Sequence, residues 1–239
     1  MEKTYRIKAA VLYSRCFGEN DVIVTLYTAD KGKLELVARG VKKSKSKLAA
    51  HLEPISLAEI MVVQGRQYNY IGSAISENCY INLKNNLAKI GAAGNGIRIF
   101  NLIVKAGDGD VEIFKILINY WDFLNNVNEE SDYDLFVQLF IFKLLIKLGH
   151  QPELYHCVIC QHRILPANNK FDLIKGGLIC YKCAFLNKRK NQLIISENSI
   201  KILRLAEKSD FKQLAKVNIA NNIKEEIINI IDLFFKYNF

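Results

Sequence analysis

Apolar and polar residues alternate along the first part of the chain, from Tyr5 to about Ser76. This period of two, in stretches rich in β-branched and aromatic residues, predicts short half-buried strands. The five stretches are 5–15, 21–28, 33–40, 55–63 and 67–75. Turn signals separate them, among them Asp30-Lys31-Gly32-Lys33 and Gln64-Gly65-Arg66. Because so few antiparallel strands would otherwise leave bare edges, the pattern predicts a small closed or nearly closed β-barrel.

After residue 80 the period becomes helical. Apolar residues recur at three- and four-residue spacing in three segments, 82–107, 111–127 and 131–150. The third segment opens with Ser131 three residues before Asp134, which is a capping-box pattern, and closes at Gly149. It is apolar almost all round, which predicts the centre of a helical bundle. Lys143 and Lys147, one turn apart, are expected to mark its wet side.

The remaining segments complete an α+β organisation. Residues 150 to about 190 contain cysteines and few helical cues, and the tail predicts two or three further helices. The predicted domains are 1–80, 81–150, 151–190 and 191–239, with the last packing on the helical domain. The glycine-rich stretch "GAAGNGIR", residues 91–98, lies inside a helical segment and is expected to allow close helix packing.

Composition adds a bias towards anionic partners. The chain has 239 residues, a formal net charge of +9 and a pI of about 9.2, which does not choose between nucleic acid, acidic lipid and acidic protein. In the first eighty residues the basic excess is local only in residues 39–47, and elsewhere it is expected to be spread. The start has no secretory signal, so a cytoplasmic protein is expected. The apolar stretch from Leu135 is interrupted and falls short of the roughly 20 residues that a membrane span needs.

Two CxxC pairs form the most specific motif. Cys157 and Cys160 are separated by nineteen residues from Cys180 and Cys183, which is the spacing of a four-thiolate zinc site. Gly176-Gly177 supplies turn freedom between the two knuckles. With four sulfur ligands the coordination shell is closed, so the expected zinc is structural and not catalytic.

Other interpretations of the cysteines are weaker. Disulfides are disfavoured without an export signal, and the known iron–sulfur spacings differ. His156 and His162 flank the first knuckle and are alternative ligands, while Cys16 and Cys79 are expected to be ordinary core thiols.

The stretch "ARGVKKSKSK", residues 38–47, carries five cations and no acid: Arg39, Lys42, Lys43, Lys45 and Lys47. It lacks the glycine spacing of a phosphate-binding P-loop, and its single large apolar residue, Val41, is too little for a membrane-binding helix. One interpretation is a solvated loop that only keeps the protein soluble. The other is a basic loop after the third barrel strand that follows a phosphodiester backbone, with Phe17, Tyr68 and Tyr70 as possible base-stacking residues.

No catalytic motif accompanies these features. The glycines of residues 91–98 have the wrong order for a dinucleotide fingerprint, and the chain has no nucleophile elbow, no HExxH and no deaminase zinc signature. The sequence therefore predicts a protein that is not an enzyme.

Two blocks resemble the RecO family of bacterial recombination mediators. They are residues 18–57, "GENDVIVTLYTADKGKLELVARGVKKSKSKLAAHLEPISL", and residues 148–183, from "LGHQPELYHCVICQ" to "FDLIKGGLICYKC". The resemblance implies an N-terminal OB-type barrel, a helical domain and an inserted zinc-ribbon-like segment. Some members lack the four cysteines, and their presence here implies bound zinc.

The resemblance also implies a function. Such proteins bind single- and double-stranded DNA, anneal complementary strands coated with single-strand-binding protein, and assist RecA loading together with RecR. By analogy, Arg39, Lys42, Lys43, Lys45 and Lys47 contact DNA. Two alternatives remain at this point: a zinc-ribbon adaptor that never binds DNA and, with a poorer fit, an NAD-dependent deacylase similar to the sirtuins.

Overall fold

Five strands near the amino end pair in a closed ring. In the computed structural model, which describes residues 3–107, 109–127, 132–186 and 190–239, the ring has the order β1-β2-β3-β5-β4. The strands are β1 (Thr4–Phe17), β2 (Asp21–Thr28), β3 (Gly32–Ala38), β4 (Ser56–Val63) and β5 (Tyr70–Asn78). The predicted five-stranded barrel is confirmed, and the predicted strand stretches lie within a few residues of the observed ones.

The apolar residues of the period-two pattern form the interior of the barrel. Alternate residues of each strand point inwards and form one buried apolar cluster, which includes Ala9, Val11, Val24, Leu26, Leu36, Ile60 and Val62. The long strand β1 pairs with β4 along its first half and with β2 along its second half. An irregularity between Val11 and Tyr13 bends it between the two partners. Closure comes from a parallel contact between Val37 of β3 and Tyr70 of β5.

Two predicted turns have the backbone that their glycines permit. Gly32 adopts a φ of +63° in the hairpin between β2 and β3. Gly65 lies between β4 and β5, where a Cβ atom would come within 2.3 Å of the Tyr68 carbonyl oxygen. Only glycine fits that approach without a shift of the backbone.

Helices α1 (Ile81–Lys84), α2 (Leu87–Ile103) and α3 (Val111–Asn126) follow the barrel, and together they form the compact unit Met1–Asn126. Tyr27 of β2 makes edge-to-face contact with Phe100 of α2, at 4.9 Å between ring centroids. The expectation of close packing at the glycines of α2 is wrong for Gly91 and Gly94, because outside the adjacent backbone of α2 itself no heavy atom of the described residues lies within 4 Å of a Cβ built there.

The second compact unit, Val127–Phe239, is built around one apolar helix. That helix is α4 (Tyr133–Lys147), and it contacts α6 (Glu197–Lys208) and α8 (Asn221–Asn238), with α7 (Phe211–Leu214) between them in sequence. Leu139, Phe140 and Ile141 are consecutive in α4, so their side chains project about 100° apart, and all three are buried, which confirms the predicted central position. In the described ranges no helix is long and apolar enough to cross a bilayer.

A small sheet and a short helix lie in the cysteine-containing part of this unit. Strands β6 (Lys170–Asp172), β7 (Gly177–Ile179) and β8 (Gln192–Ile194) pair in the order β7-β6-β8, and α5 (Tyr181–Leu186) follows β7. The observed division into two units is coarser than the four domains predicted from the sequence, and the finer division stays a prediction.

The start of α4 is capped by a residue next to the predicted one. Asp132 accepts a hydrogen bond from the backbone N–H of Leu135 at 3.1 Å. The predicted cap, Ser131, lies outside the described residues.

The expectation that Lys143 lies on the wet side of α4 is wrong. Its Nζ donates hydrogen bonds to the carbonyl oxygens of Ala206 and Ser209, both at 2.6 Å. These carbonyls end α6, so the ammonium group satisfies acceptors that the helix itself leaves unpaired. Burial lowers the pKa of Lys143, and the nearby Asp210 opposes that shift. Lys147, one turn later, is exposed as predicted.

This contrast predicts different effects of two matched substitutions. Lys143→Met should destabilise the protein by about 1.5–3 kcal/mol, because two carbonyls lose a charged donor. Lys147→Met should change stability by less than about 0.5 kcal/mol, because the side chain is exposed. Urea-induced unfolding followed by circular dichroism measures both. Equal effects of the two substitutions would contradict the capping role of Lys143.

Candidate nucleic-acid interface and metal centre

Strand register gathers several loops at one end of the barrel. Phe17 at the end of β1 pairs with Asp21 at the start of β2, and Val22 pairs with Ala38 at the end of β3. The parallel contact with Val37 adds the start of β5 to the same end. The chain therefore leaves β3 beside the β1–β2 hairpin and the β4–β5 loop, and the residues that follow Ala38 begin there.

Those residues are the basic strip, which we define as residues 38–47. Its backbone is anchored: the N–H of Gly40 donates to the Asp21 carboxylate at 2.7 Å, and the N–H of Lys42 donates to the Asn20 carbonyl at 3.1 Å. Gly40 adopts a φ of +64°, which a residue with a side chain rarely does. Val41 and, just after the strip, Leu48 pack against the barrel core. Apolar contacts and backbone hydrogen bonds thus fix the loop.

The cations of the strip are open to solvent. All five are exposed: Arg39, Lys42, Lys43, Lys45 and Lys47. Within the described part of the chain none of them forms an ion pair. By contrast, Arg6 pairs with Glu59 and Arg15 pairs with Glu35 on the barrel wall, at 2.8 and 3.1 Å. The strip is therefore a surface of uncompensated positive charge.

Aromatic side chains lie at the same end of the barrel. The guanidinium carbon of Arg39 is 3.9 Å from the centre of the Tyr70 ring, which is a close cation–π contact. Phe17 and Tyr68 meet edge to face at 5.5 Å, and Tyr68 is 41% exposed. None of the three rings belongs to the buried core cluster of the barrel. Cations and partly open rings thus occur together, as in proteins that bind single strands.

The second site is a cluster of four sulfurs in the other unit. The Sγ atoms of Cys157, Cys160, Cys180 and Cys183 all lie within 4.8 Å of one another. The first pair lies in a turn whose Gln161 has a φ of 60°, an uncommon left-handed conformation for a residue with a side chain. The second pair spans the end of β7 and the first turn of α5.

Local backbone geometry brings the two pairs together. The N–H of Val158 donates to the Leu178 carbonyl at 2.9 Å, which ties the first turn to β7. Gly176 has a φ of +64°, and a Cβ atom on Gly177 would lie 2.7 Å from the Glu153 carbonyl oxygen. These two glycines let β7 turn and pass close to the first pair, as their position in the sequence predicts.

Hydrogen bonding and burial set the thiol pKa values apart. Burial raises the pKa of the Cys157 thiol, but hydrogen bonds from the backbone N–H groups of Cys160, Cys180 and Ile159 outweigh burial and lower it to about 6. Burial and hydrogen bonds with the neighbouring thiols raise the pKa of Cys183 to about 12. Four thiolates this close repel one another, so a cation that binds here displaces protons.

The spacing fits a tetrahedral metal ion. With metal–sulfur bonds of about 2.3 Å, tetrahedral geometry separates the sulfurs by about 3.8 Å. Cys160 Sγ and Cys180 Sγ are 3.7 Å apart. Within the described residues the ligand cluster contains neither His156 nor His162, so these alternative ligands are not part of it. The Nδ1 atom of His162 lies 3.1 Å from the Cys160 carbonyl oxygen instead.

The other cysteines differ from expectation. Cys16 is exposed and Cys79 is half-buried, so the prediction of a core thiol is wrong for Cys16. The error follows from its place near the end of β1, where four consecutive residues, 13–16, are exposed and the alternation of buried and exposed positions is lost.

Known families match both parts of the chain. A model described as "Recombination protein O N terminal" matches residues 1–80, and one described as "Recombination protein O C terminal" matches residues 85–239. The chain belongs to the RecO family. RecO-family proteins are non-enzymatic recombination mediators, so the chain is not an enzyme, and the deacylase alternative is excluded.

Individual relatives agree along nearly the whole length. The "DNA repair protein RecO" of Thermoanaerobacter sp. (strain X514) is 30% identical over 233 residues, which cover 97% of this chain and 91% of that protein. The proteins of the same name from Desulforamulus reducens and Clostridium novyi are each 26% identical over 235 residues, 98% of this chain and 90% and 89% of theirs. The RecO resemblance is therefore confirmed.

The metal centre generates a prediction with a matched control. The purified chain should contain about one tightly bound divalent ion, and Cys160→Ser should lose it and be destabilised, because structural metal binding contributes on the order of 10 kcal/mol. Cys16→Ser should keep the metal, because Cys16 lies outside the cluster. Elemental analysis and thermal unfolding measure both properties. Metal retained at full stoichiometry by Cys160→Ser would rule out the four-sulfur site.

Proposed function

We propose that this RecO-family protein binds single- and double-stranded DNA through the basic strip and anneals complementary strands coated with single-strand-binding protein. In the same proposal it helps RecA load, together with RecR, and works in the cytoplasm. The DNA-contacting residues proposed are Arg39, Lys42, Lys43, Lys45 and Lys47.

One observation carries the DNA-binding part of the proposal. Five exposed cations, none of them in an ion pair with any residue that the structure describes, stand on an anchored loop beside the partly open rings of Tyr68 and Tyr70. A loop that served only solubility would need neither the Gly40–Asp21 hydrogen bond nor a cation held over a ring. An ordered array of charges instead suits the regular spacing of backbone phosphates.

Annealing follows from the kind of contact. Cations that meet phosphates neutralise two repelling backbones without covering the Watson–Crick edges of the bases. Counterions released from the DNA drive such binding, so no nucleotide hydrolysis is needed. Individual bases would stack on the exposed aromatic rings, which separates them from neighbouring bases and leaves their pairing edges accessible to a second strand.

Zinc is the ion we propose for the four-cysteine cluster. Four sulfur ligands at tetrahedral spacing suit it, and they leave no position for a reactive water. Strands of three residues cannot hold a sheet together alone, so the ion would brace β6, β7 and β8 against the two CxxC turns.

A zinc-ribbon adaptor that never contacts DNA is the second candidate. Its support is the exposed apolar surface around the cluster, where Leu165 is 66% and Leu186 is 77% exposed. DNA-binding measurements separate the two candidates.

Neutralising the strip should weaken DNA binding in a salt-dependent way. If all five cations contact phosphates, log K for a single-stranded oligonucleotide should fall with log salt at a slope of about −3.5. In the strip variant, which combines Lys42→Gln, Lys43→Gln and Lys45→Gln, the slope should become shallower by about 2. Gel shifts or fluorescence anisotropy at several salt concentrations measure the slope.

The matched control removes the same charge elsewhere. Lys201→Gln, Lys212→Gln and Lys216→Gln together change three exposed lysines of the other unit. This control should keep the native slope. Equal slopes for the native chain and the strip variant would exclude the strip as the DNA contact, and a complete absence of binding at low salt would favour the adaptor.

The annealing role has its own readout. The native chain should speed the annealing of complementary oligonucleotides coated with single-strand-binding protein. The strip variant should lose most of that acceleration, because it neutralises fewer phosphates of the two DNA backbones. Strands labelled with a fluorophore and a quencher report the rate. Acceleration by the strip variant equal to that of the native chain would contradict the proposal.

A further inference from the structure

Positive charge is concentrated a second time in the sequence, in the segment that contains the four cysteines. Residues 154–196 contain seven Lys and Arg but one acid, Asp172. Asp172 is 2% exposed, and its carboxylate accepts hydrogen bonds from the backbone N–H groups of Ile174 and Lys175. The only acid is therefore turned inwards. The six-charge excess also exceeds the two negative charges of a four-thiolate site around a divalent ion.

Outside the strip, the excess of Lys and Arg over Asp and Glu is concentrated in this segment. The strip and residues 154–196 together carry a larger positive excess than the whole chain, so the remaining residues are on balance slightly acidic. The expectation that the basic excess outside the strip is spread is thus wrong. Concentrated charge of this kind marks a surface for a polyanion.

An open cleft of about 470 Å³ lies against the cluster. Its walls include the side chains of His162, Arg163 and Lys182 as well as the apolar Leu165. In the part of the chain that the structure describes, neither Arg163 nor Lys182 forms an ion pair. The cleft therefore combines an apolar floor with uncompensated cations.

Helix α5 carries two neighbouring exposed aromatic rings, one of which lines the cleft. Tyr181, which lines the cleft, is 52% exposed, and Phe185, one turn later, is 63% exposed. Their ring centroids are 6.4 Å apart and their planes are inclined by 32°. Rings in water on a polar, basic surface are costly unless a partner covers them. Flat faces of this kind are what unpaired nucleobases stack on.

We propose that this cleft, with Tyr181 and Phe185 as its stacking surface and Arg163 and Lys182 as its phosphate contacts, is a second binding site for single-stranded nucleic acid. A duplex fits less well, because its bases are already stacked and would leave both rings uncovered. The metal centre then has a purpose beyond folding. Arg163 follows the first CxxC pair and Lys182 lies inside the second, so a metal bound to both pairs fixes the cations on either side of the cleft.

Photo-crosslinking tests the site in the native chain. A single-stranded oligonucleotide carrying 5-bromodeoxyuridine should form adducts with the peptide that contains Tyr181 and Phe185, and removal of the metal with a chelator should abolish them. Adducts confined to other peptides would overturn the proposal.

Titrations with full-length variants test the stacking itself. They use a chain in which all five cations of the strip are changed to glutamine, so that the remaining affinity for oligothymidylate does not depend on the strip. Tyr181→Ala should lower that affinity roughly 5- to 100-fold, whereas Tyr181→Phe, which keeps the ring, should change it less than about twofold. Lys182→Gln should reduce the salt slope by about 0.7.

Two outcomes would overturn the proposal: unchanged affinity in Tyr181→Ala, or equal losses in Tyr181→Ala and Tyr181→Phe. Metal content and thermal unfolding of each variant show whether it is folded. If Tyr181→Ala does not keep its metal, the crosslinks of the native chain and the Tyr181→Phe titration test the proposed site instead. Failure of the strip variant to lose affinity contradicts the proposed role of the strip and leaves this second site standing.

Discussion

Repulsion among like charges is the constraint on which the barrel surface depends. Five cations within ten residues repel one another, and because none of them forms an ion pair with another described residue, solvent, salt or an anionic ligand must offset most of that repulsion. The loop keeps its shape because Val41 and Leu48 pack on the barrel core and because Gly40 is hydrogen-bonded to Asp21. None of these contacts uses a cation of the strip. The charges are therefore free for a partner while the backbone that carries them is fixed.

The anchor for that loop is the closed barrel. Closure rests on one parallel contact between Val37 and Tyr70, residues far apart in sequence, and the same contact places Tyr70 beneath Arg39. Loss of closure would expose two strand edges and separate the ring from the guanidinium group. The fold and the candidate interface therefore depend on the same contact between β3 and β5.

The metal centre solves a different problem. Three strands of three residues and one short helix bury too little apolar surface to be stable alone, and the left-handed backbone at Gln161 adds a cost. A metal bound by the four sulfurs would add to the small core in which Phe171 meets Phe234 of α8 at 5.5 Å between ring centroids. It would also fix which side chains face outwards, since Tyr181 and Lys182 lie between two of its ligands. A brace of this kind determines a surface as well as a fold.

Much of this architecture could be predicted from the sequence, because local patterns encode it. The period of two located the barrel strands, and the paired CxxC spacing located the sulfurs. The failures concern contacts that no local pattern encodes: Lys143 caps a helix that begins more than fifty residues later, and the Arg39–Tyr70 contact depends on strand order. The basic segment 154–196 is a different case, because a charge count over the whole chain reveals it.

Whether the cations form ion pairs, more than how many there are, distinguishes an ordinary protein surface from a candidate binding site. Arg6 and Arg15 each face a glutamate across neighbouring strands, so they add little to the external field. Among the described residues, neither the cations of the strip nor Arg163 and Lys182 of the cleft form such ion pairs, and both sites lie next to partly open aromatic rings. A net charge of +9 spread evenly would attract any polyanion weakly. The same charge gathered in two places, each with rings to stack bases, favours single strands, because only an unpaired strand can offer phosphates and open base faces together.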